Sequence, residues 1–212
     1  TQRNAPPLFN LAWQKSFHHD GKFTTLIEEA KQPITAPDEM GESLFAVLIK
    51  IGNDKDYKDL FKTVYGDPLI TPDRLTKALA QFTGFMVSAN SKYDNVKKGA
   101  AEDRGYVLFK NKCATCHPEP MFTDYSYRNT GLPVDPFLKD YGRMQVTNKR
   151  EDSLKFKVPS LRNVVFTSNY MHDGRDYPGL VFRHVRGAFS AADVHHVAAE
   201  WYHISDLDLC GR

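Results

Sequence analysis

The 212-residue sequence lacks several features that are typical of other classes of protein. No apolar run is long enough to cross a bilayer, so we expect no membrane span. The formal net charge is only +2, and no block of lysines and arginines is present, which argues against nucleic-acid binding. The chain begins at Thr1 without a visible signal peptide, as a mature or truncated chain would. With 41% hydrophobic and 25% charged residues, it has the composition of a globular protein.

Cysteine is also scarce, and its placement is informative. Cys113 and Cys116 are followed directly by His117, which gives the pattern C-x-x-C-H. This is the attachment motif of c-type haem, because each thiol can bond one vinyl group and the imidazole can ligate the iron. A redox dithiol would need a βαβ context, and a zinc site would need two further ligands. Cys210 stands alone, either as a free thiol or in an intermolecular disulfide.

The pattern of apolar residues predicts an all-α fold, with weak strand signals. Thr71 followed by Pro72 has the composition of a helix start. The helices that we predict are Glu39 to Ile51, Lys55 to Tyr65, Thr71 to about Ser88 with Leu75, Leu79, Phe82 and Met86 on its buried face, Ala101 to Lys112, and a last helix from Ser190. The stretches 1–38 and 118–187 lack periodicity, and we expect them to form long irregular loops that wrap the haem.

The residues themselves suggest further contacts to the haem. Met171, well beyond His117, is a candidate for the opposite axial ligand, and otherwise an apolar filler on the haem face. Arg162 and Arg175 are candidates for pairing with the haem propionates, because a guanidinium binds a carboxylate through two hydrogen bonds. Either arginine could instead be a surface charge.

Several motifs occur together along the chain. They are RNAP at Arg3, FN at Phe9, DGK at Asp20, Ile34, PDEM at Pro37, the run from Phe109 to His117, FTD at Phe122, RNTGL at Arg128, PSLRNV at Pro159 and YMHDGR at Tyr170. In these motifs the sequence resembles the bacterial dihaem cytochrome c peroxidase family, which includes the MauG-type enzymes. The resemblance extends over nearly the whole chain.

The resemblance implies two covalent haems in two cytochrome c-like domains. In the family, the C-terminal haem takes electrons from a small c-type cytochrome or cupredoxin, and the N-terminal haem reacts with hydrogen peroxide. Because only one C-x-x-C-H is present, we expect the N-terminal haem motif to lie outside this sequence, with a natural monohaem relative as the alternative. Residues 1–95 would then be the remainder of the N-terminal, peroxidatic domain, and residues 96–212 the C-terminal electron-transfer domain.

The resemblance also assigns three residues to peroxide chemistry. Glu39 is at the position of the distal acid, which moves a proton between the peroxide oxygens; without the resemblance, it would be a charge at a helix start. Glu29 is at a position where the family usually has Gln. His19 replaces a Trp that helps electrons cross between the haems, and imidazole is harder to oxidise than indole.

Ligand sets are implied as well. A calcium ion between the domains would be bound by the side chain of Asn4 and by the backbone carbonyls of Thr167 and Asn169, the last usually Pro. The sixth ligand of the C-terminal haem falls about a dozen residues beyond His172, which places His184 slightly ahead of Met171. An open or water-bound site ranks third.

The sequence therefore predicts a periplasmic peroxidase that reduces hydrogen peroxide to water. The periplasm is expected because bacteria attach haem to C-x-x-C-H after export. Two alternatives stay open: a MauG-like maturase that oxidises a partner protein, and an electron-transfer cytochrome without peroxidase activity. Glu39 favours either enzyme over the cytochrome. Homodimers are usual in the family, and Trp201 and Tyr202 could be core or interface.

Overall fold

The computed structural model describes residues 3–95, 100–167 and 169–175, whose regular secondary structure is mostly helical. The helices are α1 (Leu26–Thr35), α2 (Leu44–Gly52), α3 (Lys55–Tyr65), α4 (Pro72–Phe85), α5 (Lys92–Asn95), α6 (Ala100–Lys112) and α7 (Met144–Thr147). Short 3-10 helices span Leu11–Trp13, Arg150–Asp152 and Val164–Phe166. The predictions for His184, the helix from Ser190, Trp201, Tyr202 and Cys210 lie outside the described residues. Within them, no helix has the length and apolar character needed to cross a bilayer.

Helix α1 lies in a stretch that we expected to be irregular. Its start carries a capping box, in which Thr25 Oγ1 accepts the Glu28 N–H at 3.2 Å and the Glu28 carboxylate accepts the Thr25 N–H at 3.2 Å. Pro33 lies inside the helix, near its C-terminal end. The prediction was wrong here because it relied on the many proline and aromatic residues of this stretch and gave too little weight to the short capping motif.

The predicted helix from Glu39 begins five residues later, at Leu44. Ser43 is the N-cap, and its hydroxyl accepts the Ala46 N–H at 3.1 Å. Glu39 instead lies in a turn, and Gly41 after it has a positive φ of 61°, a conformation that a continuous helix excludes. Glu39 is therefore not a charge at the start of a helix.

Three predicted helices, α3, α4 and α6, are confirmed in position, but one predicted face is wrong. α3 spans the predicted residues, and α4 begins after Thr71, whose hydroxyl accepts the Arg74 N–H at 3.2 Å. The buried side chains of α4 are Thr76 and Ala80, whereas Phe82 is 66% exposed. Gly84 of α4 faces Leu26 of α1, whose Cδ1 would lie 3.5 Å from a Cβ at position 84, an ordinary van der Waals distance. The buried face of α4 thus carries Thr76 and Ala80 and not the predicted Phe82.

The C-terminal half is held by short pairings rather than long elements. Strands β1 (Tyr127–Arg128) and β2 (Phe156–Lys157) are antiparallel, with Tyr127 opposite Lys157. The Lys157 N–H also donates to the His19 carbonyl at 2.6 Å, so β2 joins the N-terminal segment to the region after α6. The described part of the chain is thus helix-rich with little sheet. The division at residues 95 and 96 stays a prediction.

A second link between the two halves is an ion-pair network. The Arg3 guanidinium donates two hydrogen bonds to Asp140, at 2.6 and 2.8 Å, and one to Asp20, at 2.6 Å. Asp20 is only 4% exposed. Since a buried carboxylate is stable only when it is paired, these contacts hold the first residues of the chain against a loop more than 100 positions away.

Candidate functional site

The C-x-x-C-H motif forms a single turn at the end of α6. The Cys113 N–H donates to the Phe109 carbonyl at 2.8 Å, and the His117 N–H donates to the Cys113 carbonyl at 2.9 Å. Cys113 and Cys116 are both half-buried free thiols. Burial, and then the neighbouring Cys116, raises the pKa of Cys113. The helix therefore delivers two thiols and one imidazole within one turn, as attachment of a single haem requires.

The orientation of His117 fits the role of an axial ligand. Its Nδ1 lies 2.9 Å from the carbonyl oxygen of Phe122. A carbonyl only accepts, so Nδ1 carries the proton and Nε2 keeps a free lone pair for iron. Hydrogen bonding at the other ring nitrogen is the usual way in which a metal-binding histidine is fixed. The residues present thus fit a c-type haem, which would supply one-electron storage.

The loop that carries this carbonyl is itself anchored. The Leu161 N–H donates to the same Phe122 oxygen at 3.2 Å. On either side of Phe122, Ser160 Oγ donates to the Met121 carbonyl at 2.6 Å, and Thr123 Oγ1 donates to the Val158 carbonyl at 2.6 Å. The segment after β2 therefore fixes the acceptor that orients His117.

Arg162 completes this anchoring instead of facing outward. Its guanidinium makes two 2.9 Å hydrogen bonds to the Asp94 carboxylate and donates to the Pro120 carbonyl at 3.0 Å. It also lies 5.4 Å from the centre of the Phe122 ring. The carboxylate that pairs with Arg162 in this structure is thus that of Asp94, and not the haem propionate that we expected. Arg162 is buried, with 7% exposure, so the alternative of a surface charge is wrong.

Arg175 likewise pairs within the chain. Its Nε donates to the buried carboxylate of Asp173, and one terminal nitrogen donates to the Pro133 carbonyl at 2.9 Å. Burial alone would raise the pKa of Asp173, but hydrogen bonds from Arg175 and the electrostatic interaction with the nearby His172 lower it below its usual value. Neither arginine is therefore shown to bind a propionate.

The candidates for the sixth ligand stay a prediction. Met171 has a positive φ of 68°, and its carbonyl accepts the Gly174 N–H at 3.4 Å. His184 lies outside the described residues. The backbone at Met171 is thus a tight turn, which is uncommon for a residue other than glycine.

The proposed calcium ligands are partly brought together. The side-chain amide of Asn4 lies 2.9 Å from the Asn169 carbonyl and 3.4 Å from the Met171 carbonyl. Rotating this amide by 180° would direct Oδ1 to the same place, so that neutral oxygens converge there as calcium prefers. Thr167 is two residues before Asn169 and is exposed. Among the described residues, no cluster of three His, Cys, Asp or Glu offers another metal site.

His19 is tied to the same segment. Its Nε2 donates to the Asn4 carbonyl at 2.9 Å, and the Asn4 N–H donates to the His172 carbonyl at 2.7 Å. Burial lowers the pKa of His19 to about 4, so its ring is neutral at neutral pH. His172 stacks on Phe156, with ring centroids 3.7 Å apart. His19 is therefore built into the contact between the two halves and does not face solvent.

The two candidate acids differ in their surroundings. Glu39 is exposed in its turn. Glu29 points inward from α1; its Oε2 has no hydrogen-bond partner although His18 Nε2 lies 3.2 Å away, because the geometry is poor. Burial raises the pKa of Glu29 to about 7. Sequence reasoning missed His18 and Lys157 as neighbours of Glu29, because they come from other parts of the chain.

Comparison with known proteins agrees with this arrangement. Residues 1–102 match the family model described as di-haem cytochrome c peroxidase. The methylamine utilization protein MauG of Methylorubrum extorquens is 36% identical over 184 residues, which are 82% of this chain. The cytochrome c551 peroxidase of Nitrosomonas europaea is also 36% identical, over 81% of this chain.

The chain belongs to the dihaem cytochrome c peroxidase family. It spans about half the length of these relatives, 51% of the first and 54% of the second. A solved MauG-like protein associated with microbial copper homeostasis covers 87% of the chain with a TM-score of 0.75 and 26% identity, and the chain covers 61% of it. The peroxidase family thus accounts for both the sequence motifs and the helix-rich fold.

Proposed function

We propose that this chain is the electron-entry half of a dihaem peroxidase, together with part of its peroxide pocket. The observation that carries the proposal is the orientation of His117. Its protonated Nδ1 donates to the Phe122 carbonyl, which leaves Nε2 free to bind iron, and two half-buried thiols lie on the same turn. A small c-type cytochrome or cupredoxin in the periplasm would supply the electrons. Hydrogen peroxide would be reduced to water at a second haem, whose motif lies outside this sequence.

The chain's own residues would divide the work. Cys113, Cys116 and His117 hold the electron-entry haem in one orientation. His19 and the Asn4 backbone connect the N-terminal segment to His172 through hydrogen bonds, and this path would position the two haems. Calcium on Asn4, Thr167 and Asn169 would stabilise the same contact. A homodimer is expected from the family alone.

Glu39 is proposed as the residue that holds and moves the proton during cleavage of the peroxide O–O bond. Replacing Glu39 by Gln should lower kcat for peroxide about 100-fold, because general acid–base catalysis contributes at least that factor. The measurement is steady-state peroxide turnover by the full-length haem protein with a reduced cytochrome donor. Glu42→Gln is the matched control, since Glu42 is a neighbouring, partly exposed carboxylate paired with Lys50. Equal rates for the two variants would contradict the role of Glu39.

A maturase that oxidises a partner protein is the second candidate. Its support is the 36% identity to MauG, which equals the identity to the cytochrome c551 peroxidase. His19 argues against it, because a neutral imidazole is harder to oxidise than the indole usual at this position. Turnover of peroxide with a cytochrome donor, but no oxidation of a co-purifying protein, would distinguish the peroxidase.

A further inference from the structure

Two tyrosines share one carboxylate beside the loop that orients His117. The Tyr93 hydroxyl on α5 and the Tyr106 hydroxyl on α6 both donate to Glu119, the second at 3.0 Å. Lys110 Nζ donates to the same carboxylate at 2.7 Å. The cluster borders an open pocket of about 270 Å³, and Tyr93 is 45% exposed. Tyr93 therefore lies at the protein surface and is hydrogen-bonded to a fixed anionic acceptor.

A continuous series of contacts leads from Tyr93 to the proximal ligand. The Tyr93 ring meets the Phe122 ring edge to face, with centroids 4.8 Å apart, which is direct contact for aromatic rings. The Phe122 carbonyl in turn accepts the hydrogen bond from His117 Nδ1 at 2.9 Å. Electron tunnelling decays steeply with distance, and it crosses covalent bonds, hydrogen bonds and packed rings better than empty gaps. The structure thus connects an exposed phenol to the imidazole that would bind the iron.

The position of Tyr93 is fixed by its neighbour in α5. Asp94 accepts two 2.9 Å hydrogen bonds from Arg162, and Arg162 also donates to the Pro120 carbonyl at 3.0 Å. Helix α5 is therefore anchored to the same loop that carries Phe122. A group that exchanges electrons needs a constant distance to its partner, and supporting contacts of this kind maintain that distance.

The surroundings of the two phenols favour Tyr93 as the one that is oxidised. Burial, and then the hydrogen bond to Glu119, raises the pKa of Tyr93 to about 12, so the phenol keeps its proton at neutral pH. A phenol that has lost an electron is a strong acid, so its oxidation needs a proton acceptor already in contact, as Glu119 is. Tyr106 bonds the same carboxylate, but Lys110 Nζ lies 5.6 Å from the centre of its ring. A cation facing a ring stabilises its electrons and makes their removal harder.

We propose that Tyr93 is a redox-active residue that exchanges single electrons between the protein surface and the haem on His117. The proposal rests on the proposed function, in which hydrogen peroxide is the oxidant and the haems pass electrons to it. Tyr93 gives one electron to the oxidised haem through Phe122, its O–H bond breaks, and the proton moves along the existing hydrogen bond to Glu119. One electron from the reduced donor protein and the proton from Glu119 then restore the phenol. Tyr93 is thus a relay residue that touches neither peroxide nor iron.

The relay is tested by electron paramagnetic resonance on the full-length haem protein, frozen rapidly after mixing with hydrogen peroxide in the absence of a donor. We expect the signal of a neutral tyrosyl radical, which narrows when the protein contains ring-deuterated tyrosine. Tyr93→Phe should remove this signal, because Phe keeps the ring contact with Phe122 but has no hydroxyl to oxidise. Tyr106→Phe is the matched control, since Tyr106 bonds the same carboxylate. Tyr57→Phe is a second control, since Tyr57 on α3 is also 45% exposed. Both control variants should keep the signal.

Peroxide consumption, followed in the same samples, separates this inference from the proposed function. Loss of the radical in Tyr93→Phe alone, while peroxide is still consumed, would support the relay. A wild type that consumes peroxide without a tyrosyl signal, or a signal that persists unchanged in Tyr93→Phe, would overturn the relay and leave the proposed function standing. A wild type that consumes no peroxide would refute the proposed function and with it the relay.

Discussion

At the scale of the residue, the contact between the N-terminal and C-terminal halves of the chain depends on a glycine. Gly21 has a φ of +73°, and a Cβ there would lie 1.9 Å from the Tyr127 hydroxyl oxygen and 2.7 Å from a guanidinium nitrogen of Arg143. Tyr127 in turn bonds Ser16 at 2.5 Å, and Arg143 stacks 3.8 Å from the Tyr127 ring centre. A side chain at position 21 would therefore push β1 away from the N-terminal segment.

Gly21→Ala should destabilise the protein by about 2–4 kcal/mol, because it combines a left-handed backbone with overpacking. The measurement is the free energy of unfolding from urea titration followed by circular dichroism. Gly52→Ala is the control, since a Cβ there meets nothing within 4 Å. Gly52 ends α2, so we expect Gly52→Ala to leave stability unchanged or raise it by at most about 1 kcal/mol. Similar losses in both variants would contradict this assignment.

At the scale of the element, the short helix α5 is joined to the haem loop through one ion pair. Asp94 on α5 receives both hydrogen bonds of the Arg162 fork, which hold the pKa of Asp94 well below its usual range. Arg162 also bonds Pro120, two residues before the carbonyl that orients His117. The pair therefore stabilises the loop on which the proximal ligand depends.

Arg162→Lys should cost about 2 kcal/mol, because an ammonium cannot reproduce the two-pronged contact with Asp94. It should also reduce the hydrogen-exchange protection of the Leu161 amide, which bonds Phe122. Both quantities are measured on the haem protein, by urea unfolding and by exchange with mass spectrometry. Arg128→Lys is the control, since Arg128 is 43% exposed in its pair with Asp124. Unaltered protection of Leu161 in Arg162→Lys would show that the pair does not hold the loop.

At the scale of the whole molecule, the Arg3 network makes the contact between the halves sensitive to acid. Burial alone would raise the pKa of Asp140, but hydrogen bonds from Arg3 and from the Gly142 N–H lower it below its usual 3.8. A group whose pKa is lower in the folded state stabilises the fold above its unfolded pKa. That stability is lost as pH falls through the folded pKa.

Asp140→Asn should therefore lose about 2 kcal/mol at about pH 7, less than a fully buried pair because Arg3 is partly exposed. The difference from wild type should shrink as pH falls below 3.8 and passes through the lowered folded pKa of Asp140, where the wild-type carboxylate also becomes protonated. Urea unfolding at both pH values checks this. Asp73→Asn is the control, because its pair with Lys77 is exposed on both sides and should contribute little. A loss that is constant with pH would exclude the ionic origin.

The sequence by itself determined the haem motif, the family and the positions of α3, α4 and α6. These depend on residues close together in the chain, such as C-x-x-C-H and the Thr71 cap, whose chemistry is complete over a few positions. Local composition gave wrong predictions in two places. At Glu39 a turn interrupts the predicted helix, and at α1 the many prolines and aromatic residues hid a short capping motif.

Only the tertiary structure decided which side chains meet. Asp94 as the partner of Arg162, His18 as the neighbour of Glu29, and Asp140 as the partner of Arg3 are all separated along the sequence from the residues that they contact. The sequence around a charged residue does not identify its ion-pair partner, because pairing depends on which distant segments the fold brings together. For the same reason burial, which sets the pKa of Glu29 and His19, is a property of the folded chain.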